Sequence, residues 1–462
     1  MVTLNKLGLL ITWLLLACSK TSSTAPGNTT GPVPAVKDSV QYGTPYAQVP
    51  DAPDAVIYQV NIHAFSSTHD FKGVQSRLDS IRALGVNVLY LMPVYPVGTV
   101  KSVNSPYCVK DYTGVNAEFG TLADLRTLVQ EAHNRGMAVL FDWVANHTAW
   151  DNAWTANKSW YQQDAAGNII SPVNTGWNDV AALNYGNADM RSAMIKAMKY
   201  WVYNANIDGY RCDAADFVPA GFWKQAIDSL RAIRTHKLLL FAEGTRTDHF
   251  LSGFQLKYAM GFYYNLVNNI YAKNGSVQSI DSVNTVEYNL AGTDSRAVRY
   301  ISNHDVDNSD GTPLDLLGGK QGSLAAFAAA AFTTSVPMIY NGQEKGCPVK
   351  LNFFNNSTVI DWTLNADMTA EYKRIIALHN SNEALRRGAY TSYSDQDVCA
   401  FTRVLNNQKV LVLVNLRNKA VSYTLPAALA NSSWKNAFDG TAITIQSQVA
   451  LQPYGYLVLQ NP

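Results

Sequence analysis

From about residue 54 the apolar positions follow two rhythms that take turns. Largely apolar runs at 55–62, 86–92 and 138–144 are too short for typical helices and mark buried strands, the second stopped by Pro93. Between the first two, Val74, Leu78, Ile81 and Leu84 recur at helical spacing. After Thr121, Leu122, Leu125, Leu128 and Val129 do the same until Gly136 ends the helix. The alternation continues through a helical stripe of Met190, Met194, Ala197, Met198 and Trp201 and apolar runs at 207–213 and 238–243. A sixth strand is expected at 258–264, a seventh ending at Asp305, an Ala-rich helix at 324–332, an eighth strand at 336–340 and a closing helix at 372–380. Strand and helix alternating in this way predict an α/β fold with a parallel sheet, and the number of units predicts a (β/α)8 TIM barrel. Two stretches break the rhythm. Residues 146–185 show little periodicity and predict a short excursion after strand three. From about residue 391, short β-rich runs at 400–404, 410–414, 421–425 and 456–459, separated by Asn, Gly and Pro, predict a C-terminal antiparallel β-sandwich. The expected division is a barrel over 51–383 and a sandwich over 384–462.

Three of the strand runs close in a carboxylate. Ile207-Asp208-Gly209-Tyr210-Arg211-Cys212-Asp213 is the first, and a strand's period of two puts Arg211 and Asp213 on one face, with Cys212 on the other. A strand with its crossover helix takes roughly 30 residues, and at that spacing come the run ending in Glu243 and, two units on, the run ending in Asn303-His304-Asp305. In a (β/α)8 barrel the C-terminal strand ends converge on the active site. The Arg211 charge should lower the pKa of Asp213 and keep it ionised as a nucleophile. A less solvated Glu243 would stay protonated and serve as general acid and then base. Two carboxyls across one bond suit retaining glycoside hydrolysis when they stand about 5 to 5.5 Å apart.

Composition narrows the ligand. Net charge is +1, with 15% charged and 11% aromatic residues, which gives no electrostatic case for nucleic acid or a membrane surface and suits a neutral ligand held by stacking and hydroxyl hydrogen bonds. Trp150, Trp154, Trp160, Tyr161 and Trp177 in the excursion read equally as a small core of their own or as a sugar-stacking platform. At the N-terminus, Lys6 precedes a short apolar run ending in Leu15-Leu16-Ala17-Cys18. It is too short to span a bilayer and reads as an export signal over 1–18. Residues 19–50, rich in Ser, Thr, Pro and Gly, read as a flexible tether. Cys108, Cys212, Cys347 and Cys399 have no metal-ligand spacing, and their pairing stays open.

The motifs together carry a resemblance. Asp142-Trp143-Val144-Ala145-Asn146-His147, Gly209-Tyr210-Arg211-Cys212-Asp213, the strand ending in Glu243 and Asn303-His304-Asp305 resemble, in order, four signature motifs of the α-amylase family, glycoside hydrolase family 13. Supporting likeness comes from Gly85 through Pro93, from Ser105-Pro106-Tyr107 through Tyr112 and from Pro337 through Glu344. The resemblance implies Asp213 as nucleophile, Glu243 as acid/base and Asp305 as the third carboxylate, with substrate contacts from Tyr107, His147, Arg211 and His304. Asp142 would organise Arg211 and the loops. The Leu-Leu-Ala-Cys run resembles the bacterial lipobox, which would make Cys18 a lipid anchor on an exported protein held at a bacterial membrane, with the outer membrane expected.

One departure stands out. Many family members follow the nucleophile with a Lys-His pair that touches substrate and helps hold calcium; here Ala214-Ala215-Asp216-Phe217-Val218-Pro219 follows Asp213. Asn146 and Asp179, both oxygen donors, remain candidates for a structural Ca2+, with no cofactor expected for the chemistry. The implied activity is hydrolysis of α-1,4 bonds in starch-like α-glucans or maltooligosaccharides by a monomer. The alternatives are a transglycosylase, an α-glucosidase of other linkage, or a lipid-anchored glucan-binding protein without activity.

Overall fold

The computed structural model describes residues 40–461. Eight parallel strands close a barrel: β1 (Ile57–Val60), β2 (Val88–Leu91), β3 (Ala138–Val144), β6 (Gly209–Asp213), β7 (Leu239–Ala242), β8 (Leu256–Tyr258), β9 (Arg296–Arg299) and β10 (Val336–Tyr340). β1 pairs with β10, Ile57 opposite Met338, which closes the ring. Between β3 and β6 in the chain lie β4 (His147–Ala149) and β5 (Val180–Ala182), an antiparallel pair at the base of the excursion. Every barrel strand is buried along its length, as sheets covered by helices require. The register sets the site, because β3 and β6 place Asp142 opposite Arg211, and β6 and β7 place Cys212 opposite Ala242. Glu243 therefore follows directly beside Asp213.

The C-terminal strands are β11 (Ala389–Ser392), β12 (Val398–Leu405), β13 (Gln408–Asn415), β14 (Val421–Thr424), β15 (Ser432–Asn436), β16 (Ala442–Ile445), β17 (Gln448–Leu451) and β18 (Tyr456–Gln460). A six-stranded sheet in the order β11-β12-β13-β18-β15-β16 faces the β14–β17 pair. Alternation along β12 and β13 divides two cores: Phe401, Val410, Val412 and Val414 join the barrel's core, whereas Ala400, Leu411 and Leu413 pack with Tyr423, Trp434 and Leu451 inside the sandwich.

Four expectations change. The sixth strand is Leu256–Tyr258, and Met260–Tyr264, expected inside it, is helical. β9 ends at Arg299, and Asp305 sits in the first turn of a helix, His304–Ser309, capped by the Asn303 side chain accepting from Asp305 N and Val306 N. Strand one is shorter than expected, since Ile62–Phe65 is a helical turn. The tether expected to reach residue 50 is fixed before that: Tyr42 N donates to Tyr203 O at 2.7 Å, Asn206 Nδ2 to Thr44 O at 2.8 Å, and Val49 is buried. The proposed signal and Cys18 lie outside the described residues. Among the described residues no helix is long and apolar enough to cross a membrane, and Cys108, Cys212, Cys347 and Cys399 are buried free thiols.

Candidate active site

Arg211 is the centre of the charged cluster. Its side chain is fully buried, with Nη1 2.7 Å from Asp142 Oδ1 and 2.9 Å from Asp213 Oδ1, and Nη2 2.8 Å from Glu243 Oε1. The strand period of two makes this possible, because Arg211 and Asp213 project inward together while Asp142 arrives from β3 and Glu243 from the end of β7. Glu243 is held again by Ala214 N, which donates to Oε2 at 2.6 Å.

Behind the carboxylates runs a buried hydrogen-bonded chain. Tyr90 Oη and Tyr107 Oη both donate to Asp142 Oδ2, at 2.5 and 2.9 Å. Tyr107 Oη is also 2.6 Å from His304 Nε2, and His304 Nδ1 is 2.7 Å from Gln59 Nε2. A Gln59 amide donating to Nδ1 fixes His304 as the tautomer protonated on Nε2, so that Nε2 donates to Tyr107. Burial, then the neighbouring Arg211 charge, lowers His304 to about 3, and burial lowers His147 to about 4. Both imidazoles are neutral at physiological pH.

For Asp213 the direction of the pKa shift differs from the sequence-based expectation. Burial and the negative charge of Glu243 push its pKa well above the ordinary carboxylate range, against the pull of Arg211. One guanidinium is divided among the carboxylates of Asp142, Asp213 and Glu243. Burial raises Asp142 as well, opposed first by Arg211.

A cavity of about 570 Å³ opens over the cluster, lined by Asp213, Glu243, Asp305, Tyr107 and His147 among others. Those five expected site residues come together. Arg211 and His304, expected to touch substrate, do not line it; they lie beneath Asp213 and Tyr107 and position them. The excursion's tryptophans divide between the two roles. Trp154 packs on Tyr112 and Trp160 at ring distances of 4.8 and 5.3 Å, whereas Trp177 lines the cavity beside His147. Sequence reasoning missed Gln59 and Tyr90, whose signal is a polar group inside an otherwise apolar barrel strand, and Phe217, which lines the cavity.

Asn146 and Asp179, the oxygen donors considered for calcium, sit at the base of the excursion, Asn146 buried beside His147 and Asp179 at the cavity wall. A calcium ion takes six to eight oxygen ligands; the Asn146 amide Nδ2 is 3.2 Å from His147 Nδ1, and among the described residues no three His, Cys, Asp or Glu side chains gather to hold a metal.

The family model for the catalytic domain of α-amylases matches residues 47–168 and 173–402, and the model for the C-terminal domain of maltogenic amylases matches residues 390–458. The chain belongs to the α-amylase family. Among relatives of this α-amylase-family chain, Alpha-amylase 2 of Dictyoglomus thermophilum is 24% identical over 399 residues, covering 81% of this chain and 68% of that protein. A cyclomaltodextrinase of Thermoanaerobacter pseudethanolicus is 23% identical, covering 76% of this chain and 64% of the relative. The chain thus spans about two thirds of the length of these curated relatives. The crystal structure of a noncanonic maltogenic α-amylase, AmyB from Thermotoga neapolitana, matches with a TM-score of 0.79 at 23% identity, over 89% of this chain and 99% of that one. An α-amylase from Lactobacillus plantarum gives 0.78 at 24% identity with the same coverage. These two likenesses establish the fold that the α-amylase barrel and sandwich share.

Proposed function

We propose that this glycoside hydrolase cleaves α-1,4-glucosidic bonds in starch-like α-glucans or maltooligosaccharides with retention of configuration. The observation that carries the proposal is that Asp213, Glu243 and Asp305 line one cavity, and the α-amylases and cyclomaltodextrinase among the relatives support the substrate class. In the reacting form a proton on Glu243 faces an ionised Asp213: Asp213 attacks the anomeric carbon, the glycosidic C–O bond breaks, and Glu243 gives its proton to the leaving oxygen. Water then surrenders a proton to Glu243 and attacks the same carbon, and the ester to Asp213 breaks. Asp305 binds sugar hydroxyls and strengthens its hold as the ring flattens toward the oxocarbenium-like transition state. Tyr107 and His147 contact the sugar, and Arg211 and His304 hold the contacts in place. Proton NMR of the product formed first from maltotetraose should show the α anomer; a β anomer would overturn the assignment.

The proposal extends to location. Leu15-Leu16-Ala17-Cys18 and the polar stretch after it support export with a lipid on Cys18, which holds the enzyme at a bacterial membrane. Replacing Cys18→Ser should move the protein from the membrane fraction to the soluble fraction or block its maturation. Wild-type protein found wholly soluble, with no lipid on Cys18, would contradict this.

A further inference from the structure

The turn that follows Asp213 is held by hydrogen bonds from both sides. Ala214 takes the left-handed conformation at φ 44°, placing its N–H on Glu243 Oε2 at 2.6 Å. Ala215 N donates to Glu243 O at 2.9 Å, and Trp223 Nε1 donates to Ala215 O at 3.1 Å. The Asp216 carboxylate is gripped from the other side by His249 Nε2 at 2.7 Å and by Thr245 N at 2.8 Å and Oγ1 at 2.9 Å. A turn this constrained leaves the Phe217 ring 57% exposed at the cavity wall. Trp177 stands 5.5 Å from it, ring to ring, and lines the same cavity. Two aromatic rings side by side on a cavity wall make the kind of apolar surface on which ligand pockets hold their ligands.

The anchoring of the turn bears on what the rings hold. Glu243 delivers its proton to the oxygen that departs with the leaving group, and the turn is pinned to Glu243 at both its side chain and its carbonyl. The ring at the end of the turn lines the same cavity as Glu243, and this shared turn is the reason to place it on the leaving-group side. We propose that Phe217, backed by Trp177, is a specificity-determining residue whose ring stacks on the apolar face of the leaving-group glucosyl ring. This rests on the reading of Glu243 as proton donor.

The test compares two substrates that differ only on the leaving side. Maltotetraose leaves a sugar, and α-maltosyl fluoride leaves an ion with no ring to stack. Phe217→Ala should lower kcat/KM on maltotetraose by roughly tenfold more than on the fluoride, about 1.4 kcal/mol of differential contact. Phe217→Tyr, which keeps the ring, should restore most of the ratio. Equal losses on both substrates, or an unchanged ratio in Phe217→Ala, would overturn the proposal. The underlying reading fails separately, through Glu243→Gln: loss of fluoride turnover as complete as loss of maltotetraose turnover would remove Glu243 as proton donor.

Discussion

Arg211 illustrates what a single buried residue decides. A guanidinium taken out of water costs several kcal/mol, and here carboxylates on β3, on β6 and just past β7 offset that cost at 2.7 to 2.9 Å, although Nε has no hydrogen-bond partner. The same contacts fix Asp213 and Glu243 relative to each other before any substrate arrives, which is preorganisation in the sense that matters for catalysis. Titration carries a second residue-scale consequence. His147, His304 and His379 are buried, and burial lowers them to about 4, about 3 and about 4. In the unfolded chain each takes a proton near pH 6.5. Between that pH and its folded pKa, the unfolded state binds more protons, so these histidines contribute stability that is complete above about pH 6.5 and lost as pH falls. His379 lies outside the site, and His379→Gln should remove roughly 1.4 kcal/mol per pH unit from the slope of unfolding free energy between pH 4.5 and 6. Urea titrations at several pH values measure that slope, and a slope equal to the wild type's would contradict the account. The carboxylates were legible in the sequence because a charged group closing an apolar run needs a reason. The upward direction of the Asp213 pKa was not, because it depends on burial and on the charge of Glu243 beside it, which only the folded register supplies.

At the level of elements, strand β6 depends on its first residue. A Cβ on Gly209 would lie 1.9 Å from the Leu239 carbonyl oxygen, and its φ of 145° is one that side chains rarely adopt. Gly209→Ala should therefore cost more than about 2 kcal/mol, near the upper end for point substitutions, and spread β6 from β7 where Asp213 and Glu243 must meet. Gly221, in the helix Ala220–Arg231 with nothing within 4 Å of a built Cβ, is the control: Gly221→Ala should be neutral or stabilising by up to about 1 kcal/mol. Chemical denaturation distinguishes the two, and a Gly209→Ala protein as stable as Gly221→Ala would refute the packing argument. Long apolar runs such as 138–144 were readable as strands from pattern alone. β8 was not, because it is three residues long with buried Lys257 at its centre, while the aromatic run that follows it, Phe262-Tyr263-Tyr264, has strand-like composition in a helix. Asn303-His304-Asp305 likewise reads as the end of a strand and folds as a capped helix start, the Asn side chain taking the first free N–H groups.

Across the whole described molecule, barrel and sandwich form one compact unit. The shared core explains it, since one face of β12 and β13 belongs to the barrel and the other to the sandwich. Arg417 reinforces the junction by donating to Ile270 O at 2.7 Å and Gly275 O at 2.6 Å while facing Asp397 at 2.9 Å. This scaffold holds two carboxyls from adjacent strands side by side over one cavity, and the central proposal is that Asp213 attacks while Glu243 protonates. The most direct measurement is steady-state turnover of Asp213→Asn and Glu243→Gln on maltotetraose and on α-maltosyl fluoride. Both variants should lose several orders of magnitude on maltotetraose, and on the fluoride, whose leaving group needs no proton, Glu243→Gln should keep substantial turnover while Asp213→Asn keeps none. An Asp213→Asn enzyme with near wild-type turnover, or two variants that fail alike on the fluoride, would contradict the account.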